Sequence, residues 1–378
     1  MHSDGPALPR PSSSGAASSS GVRLLHVTGN GTARGNAHGE EFRGLIADAM
    51  QRWRDVVGER EGIPAQRYID GFLSSTGFAV SARTSSPDLF AEVEGIAAGS
   101  GQPFEDVLVY NLMDEEWRHE RDPDVGCSTI GTFLRHGSTS EGDFVLGQNM
   151  DLPASMDGSQ IVLQIDGQDG PDQIVLTGAG MIGLLGVNAA GLAVCVNTLR
   201  ALPAAAEGLP VAFIVRELLR RTSAAAASEY LVSVPHASGQ HYALGDPEGI
   251  RGYECSAEGC VQGPVGRDLL HTNHVLWAPY QDEAGERPDA FEQHGTHTRL
   301  AGLQEGLGRV TAFGDLQKLL SSTDGGLCVS PTAARQVGTF CAGEFLLTVP
   351  PLVRVAPGRP DDVPWQSIPW PATSTEGT

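Results

Sequence analysis

The chain has 378 residues, room for one large domain or two modest ones. Hydrophobic residues make up 40%, which excludes general disorder, and 46 acidic against 25 basic residues give a net charge of −21. A surface this acidic repels phosphate backbones and anionic lipid, so neither nucleic acid nor membrane is an expected partner.

Taken in chain order, Met1 to Ser20 is rich in Ser, Pro, Gly and Ala and has no apolar run of a secretion signal. Residues 1–21 are expected to be a disordered tail, with a shorter one after Trp370. No window approaches the roughly 20 apolar residues of a membrane span, and a cytoplasmic location is expected. The six cysteines, Cys127, Cys195, Cys255, Cys260, Cys328 and Cys341, form no CxxC pair, and reduced thiols are the expected state.

Order begins at Val22–Val27, a short strand pattern, followed by a helical stretch from Arg34 through Met50. Pro87–Gly99 has helix spacing, and Pro103–Leu108 starts another helix with acids in its first turn. After residue 125 the texture changes. Strands are predicted at 143–149, 160–166, 173–177, 180–187 and 191–197, close together and joined by Gly, Asn or Asp turns, as in an antiparallel sheet. Pro210 opens a helix with Val211, Ile214, Val215 and Leu218 on one face, and Ala224–Val232 forms another. Strands at 241–244 and 252–255, helical sequence over 288–320 and a closing strand pair over 338–355 complete the reading. The class is α+β, helices layered over antiparallel sheets.

Four places carry residues suited to chemistry. In Gly126-Cys127-Ser128-Thr129, a cysteine follows a glycine that permits unusual backbone and close approach. That pair suits attack of the Cys127 thiol on its own preceding carbonyl, an N-to-S acyl shift ending in chain cleavage. The α-amino group freed on Cys127 then has a pKa near neutrality and can serve as base. A buried structural cysteine is the competing reading. Gly147-Gln148-Asn149-Met150-Asp151 places a carboxylate at a strand end, where it either meets an amine or closes a turn. In His271-Thr272-Asn273-His274 the HxxH spacing lacks a third metal ligand, whereas the Asn273 amide can stabilise an oxyanion. Asn188-Ala189-Ala190-Gly191 reads as a hairpin turn. No P-loop, dinucleotide or metal motif is present, and no cofactor is expected.

In order, these features resemble the isopenicillin N acyltransferase-like (penicillin acyltransferase) family of N-terminal-nucleophile cysteine hydrolases. They are Arg34-Gly35 with His38-Gly39, Glu94-Gly95-Ile96-Ala97, Gly126-Cys127-Ser128-Thr129, Gly147–Asp151, Asn188–Ala193 with Asn197-Thr198, Gly208-Leu209-Pro210 and His271–His274, spanning about residues 22 to 275. The resemblance implies an αββα four-layer sandwich. It also implies self-cleavage between Gly126 and Cys127, with Thr129 in the cleavage motif. Residues 22–126 would become a mainly helical α subunit and 127–378 a sheet-rich β subunit, the two fragments remaining partners in one composite domain. Cys127 would be the nucleophile, Asp151 a polar partner of its amine and Asn273 the oxyanion donor.

The chain also departs from the family. Its penicillin-making members carry a late Ser-Ile-Cys-Arg segment, where this chain has Gly326-Leu327-Cys328-Val329 with no arginine. Arg299 and Arg335 are the candidate replacements. Asn111–Arg118 is unusually acidic, so Asp114, Glu115 or Glu116 facing the pocket would favour a cationic or amine-bearing substrate, and Asn149 is a further candidate contact. The expected activity is hydrolysis of N-acyl amines or small peptide-like amides through an acyl-thioester. Amide-forming acyl transfer to an amine in secondary metabolism is the alternative. A catalytically silent binding protein and a papain-like protease are the readings of other classes.

Overall fold

The computed structural model describes residues 21–117, 126–137, 141–279, 295–332 and 336–371. The expected tail over 1–20, Arg335 and the last seven residues lie outside this set.

The first third is helical apart from one strand, β1 (Leu24–Val27). Helices α1 (Gly31–Glu41), α2 (Arg43–Glu61), α3 (Ala65–Ser75), α4 (Phe78–Ser85), α5 (Pro87–Ser100), α6 (Phe104–Tyr110) and α7 (Met113–Trp117) follow. The Asn30 side chain accepts from Ala33 N to open α1. Pro87 begins α5, which stops not at Gly99 but at Gly101, a left-handed C-cap with φ of 72°.

The Arg-Gly and His-Gly pairs of α1 explain themselves in packing. Gly31, Gly35 and Gly39 form a stripe along α1 that lies directly on α5. A Cβ on Gly35 would fall 2.0 Å from the Glu92 carbonyl oxygen. The helices therefore touch backbone to backbone. Arg34, on the same helix, reaches Glu92 at 2.9 Å and Asp88 at 2.6 Å, and His38 Nε2 accepts from Gly180 N at 3.0 Å. Burial pushes His38 down to about 4, so it stays neutral. These residues build the helical layer.

Two sheets follow. The first has eight strands in the order β1, β4 (Gln160–Ile165), β5 (Gln173–Gly178), β6 (Leu185–Asn188), β7 (Ala193–Thr198), β8 (Gln240–Asp246), β9 (Gly249–Ser256) and β10 (Gly259–Gln262). The second has six, in the order β11 (Leu269–His271), β2 (Gly126–Arg135), β3 (Gly142–Pro153), β12 (Val337–Leu346), β13 (Leu352–Ala356) and β14 (Gln366–Ile368). All neighbours pair antiparallel except β1, which lies parallel to β4. The β6–β7 turn is the expected hairpin: Gly191 takes φ of 99°, and Asn188 Oδ1 accepts from Ala190 N and Leu192 N.

Helices α8 (Val211–Leu218) and α9 (Ala224–Ser233) cover the first sheet beside the N-terminal helices, and every residue of α8 is buried. On the outer face of the second sheet, α10 (Thr296–Leu307) and α11 (Asp315–Leu320) pack Leu303, Leu316 and Leu320 onto Ile130, Leu134 and Val145. The sheets face one another through the main core, where Thr129 of β2 donates to Asn197 of β7 at 2.9 Å. The layers run helix, sheet, sheet, helix, the αββα arrangement expected. The texture change near residue 125 is where the second sheet begins.

The cysteines correct one expectation. Cys255 and Cys260 are cross-strand partners on β9 and β10 and form a disulfide, whereas Cys127, Cys195, Cys328 and Cys341 are buried free thiols. No CxxC spacing was needed, because a β-turn brings residues five apart into register.

Candidate active site

Strand β2 starts at Gly126 and pairs with the end of β3, with Gly126 opposite Asp151, Cys127 opposite Met150 and Ser128 opposite Asn149. Because side chains alternate along a strand, Cys127 faces the space between the sheets while Ser128 faces α10. Cys127 is buried and reaches a small cavity that Asp114 and Thr198 also line.

The backbone of Cys127 is gripped on both sides. Its N–H donates to Asn273 Oδ1 at 2.8 Å, and its carbonyl accepts from Arg299 Nη1. Arg299 also donates to Ser128 Oγ at 3.1 Å and, through Nη2, to Asn273 Oδ1 at 2.9 Å. A Cβ on Gly126 would lie 2.8 Å from Arg299 Nη2 and 3.3 Å from Asp151 Oδ2. Only glycine fits between that guanidinium and that carboxylate without displacing one of them. Asp151 Oδ1 accepts from Thr339 Oγ1 at 2.6 Å, which anchors it to β12. Burial raises the Cys127 thiol well above the ordinary range, the Asp151 charge adds to this, and Arg299 opposes it.

The structure thus brings together Gly126, Cys127, Asp151 and Asn273, and it adds Arg299, which sequence spacing alone had not aligned. Arg335 lies outside the described residues. The helix register of α10 makes the Arg299 placement, and no motif flags it.

Several expected contacts differ. Asn273 turns its oxygen toward the Cys127 N–H, and its Nδ2 gives one of its two hydrogens to Thr198 O at 3.1 Å. Asn149 does not line the cavity: it sits opposite Ser128, and its amide donates to the carbonyls of Leu320 and Leu327 at 2.7 and 2.8 Å. It fastens α11 and the turn after it to β3. Thr129 bonds Asn197, away from the Gly126–Cys127 peptide. His271 pairs with Glu254 at 2.9 Å and His274 with Thr296, so the HxxH spacing gathers no ligand set.

Of the acidic run, Asp114 alone reaches the cavity. Glu115 Oε1 accepts from Val211 N at 3.1 Å, at the start of α8, and from Ser238 Oγ at 2.9 Å. Glu116 is taken up by Arg60 and Tyr68. Burial raises both Asp114 and Glu115, and the neighbouring Asp114 charge adds to the Glu115 shift.

Comparison with known proteins finds similar chains. Residues 138–320 match the family model described as acyl-coenzyme A:6-aminopenicillanic acid acyl-transferase. The acyl-coenzyme A:6-aminopenicillanic-acid-acyltransferase 40 kDa form of Emericella nidulans is 28% identical over 285 residues, 73% of this chain and 77% of that protein. Among solved structures, a mutant conjugated bile acid hydrolase from Clostridium perfringens matches with 11% identity and a TM-score of 0.39, covering 64% of this chain and 97% of that one. Penicillin V acylase from Agrobacterium tumefaciens matches with 13% identity and a TM-score of 0.31, covering 61% and 82%. Among the described residues, no helix is long and apolar enough to cross a membrane.

Proposed function

We propose that the chain is an isopenicillin N acyltransferase-like protein and, within that group, a self-cleaving N-terminal-cysteine amidohydrolase. The observation that carries the reading is the setting of the Gly126–Cys127 peptide. A glycine wedged between Arg299 and Asp151 precedes a cysteine whose own N–H and C=O are pinned by Asn273 and Arg299.

In the uncut chain the raised thiol is protonated, and the base we propose for its proton is Asp151, whose charge acts on the thiol although its carboxylate lies on the Gly126 face of the strand. Cys127 Sγ attacks the Gly126 carbonyl carbon. The peptide C–N bond breaks as its nitrogen gains a proton, leaving a thioester between Gly126 and Cys127. Water then hydrolyses that thioester to a Gly126 carboxylate and a free thiol. Residues 22–126 and 127–378 become the α and β fragments of one domain, still joined through the core.

The new α-amino group inherits the Asn273 Oδ1 contact and becomes the base for the thiol. In turnover, the thiolate attacks a substrate amide carbonyl, the amine leaves with a proton, and an acyl-thioester remains on Cys127. Water releases the acyl group. An amine at the same position gives transfer instead, the reading favoured by the activity for which the Emericella relative is named. Fixed geometry around the reacting bond supplies orientation, and the largely apolar cavity wall keeps the charges effective.

Mass spectrometry of the purified protein tests the first half. Two fragments, the second beginning at Cys127, are expected, and one uncut chain identical in the wild type and Cys127→Ala would overturn self-cleavage. Acyl-amide substrates assayed with and without added amine then separate hydrolysis from transfer.

A further inference from the structure

The cavity beside Cys127 is apolar and adaptable over most of its wall. Met113, Met150 and Met181 line it, half of the six methionines in the chain. Thioether side chains of this kind refit around varied apolar shapes. Against them stands one carboxyl group, Asp114. Thr198 Oγ1 donates to its Oδ1 at 2.6 Å and Gln240 Nε2 to the same oxygen at 3.1 Å. Among the described residues no hydrogen bond ends on Oδ2, and no Lys, Arg or His lines the cavity.

The other polar groups on the wall are committed. Asn111 donates to Val107 O and Gly180 O and accepts from Ile182 N. Asp114 is therefore a half-buried acid on the cavity wall with donors on one oxygen and, among the described residues, no cation beside it. Such a group is costly to keep in an apolar wall unless a ligand completes it.

We propose that this cavity takes an amide whose apolar body carries a protonated amine, with the Asp114 carboxylate as its counter-ion. The methionine wall holds the apolar body, and Thr198 and Gln240 orient the carboxylate so that Oδ2 meets the ammonium. Asp114 is a specificity residue here, since it touches the substrate away from the reacting carbon. The inference rests on Cys127 as the nucleophile of the same cavity, and it names the substrate class for that site.

The test uses a matched series of amides with one reporter group and one alkyl length, ending in ammonium, methyl or carboxylate. The unsubstituted, self-processed protein is expected to favour the ammonium compound over the methyl one by about 10- to 100-fold in kcat/KM, the range of a hydrogen bond to a charged group. Asp114→Asn should erase that preference while still turning over the methyl compound. Equal turnover of the two, preference for methyl, or a preference unchanged in Asp114→Asn would overturn the proposal. Because the substrate series is read on the unsubstituted protein, a poorly folded variant does not remove the test. Calorimetry on Cys127→Ala with butylammonium and butanol provides a readout free of catalysis. Tighter ammonium binding without turnover of any amide would sink the amidohydrolase reading and keep the cation site. Equal binding would overturn the cation site.

Discussion

Two fully buried carboxylates, Glu92 and Glu115, sit in the same helical layer and have opposite surroundings. Glu92 on α5 receives Arg216 Nη1 at 2.7 Å and Arg34 Nε at 2.9 Å, both from buried side chains. Burial pushes Glu92 up, but the two arginines more than offset it and hold it below the usual carboxylate range. Glu115, one residue from the cavity wall, has only neutral partners among the described residues, and its buried Oε2 has none among them. Burial, with Asp114 beside it, pushes Glu115 up to about 8. Matched charge marks the region that holds the fold. Unmatched acid marks the region next to the Cys127 cavity.

The largest expected effect follows from Cys127. If the cavity side is chemical and the Glu92 side architectural, Cys127→Ala removes both self-cleavage and amide turnover, a loss of about 10⁴-fold or more, with stability little changed. Rates by chromogenic assay and unfolding midpoints in urea read the two halves separately. Next in size is Arg216→Met. It leaves Glu92 with half its counter-charge and should cost about 3–5 kcal/mol of stability, as breaking a buried ion pair does. The folded fraction should still cleave at the wild-type rate. Slow cleavage in folded Arg216→Met, measured by time-resolved gel analysis, would erase the division between the regions.

Much of the fold and part of the site were legible in the sequence, and the reasons differ by element. Strong periodicity gave α5, α8 and α9 to within a few residues, because each has one apolar stripe or is buried all round. The extended run at Gly180–Val187 shortened to Leu185–Asn188, since its first half turns at Gly180 with φ of 92°. The Arg34-Gly35 and His38-Gly39 pairs were visible as a motif, but their purpose was not: a glycine stripe shows only as close approach once α5 is beside it. At the site, Cys127, Asp151 and Asn273 were found in sequence because they sit in compact motifs. Arg299 reaches Cys127 across 172 positions of chain, and its contact comes from where α10 lands on β2. Nor could sequence say which of three adjacent acids faces the cavity. That depends on the rotation of α7, a helix of five residues with little period to read.

The comparison sharpens at Gly126. Gly126→Ala places a methyl group 2.8 Å from Arg299 Nη2, an overpacking of about 1–3 kcal/mol, so cleavage should slow by roughly 5- to 150-fold. Fold and disulfide should remain, as judged by circular dichroism and thiol titration. The effect that is smallest per step of pH belongs to Glu115, and its sign is fixed by its raised pKa. Between about 4.5 and 8 the folded chain holds a proton on Glu115 that the unfolded chain has released. Stability from this group is therefore full below the lower value and falls as pH rises through the window, by at most about 1.4 kcal/mol per pH unit. Above the upper value the penalty levels off. Glu115→Gln keeps an oxygen for Val211 N and Ser238 Oγ but cannot ionise. Urea unfolding of both proteins from pH 5 to pH 8.5 should show the variant gaining on the wild type as pH rises. Glu92→Gln should instead run parallel to the wild type over this range at a steady deficit, because the wild-type carboxylate is charged and paired throughout it. Parallel curves for Glu115→Gln and the wild type would mean that its carboxyl is matched after all, and the contrast with Glu92 would go with it.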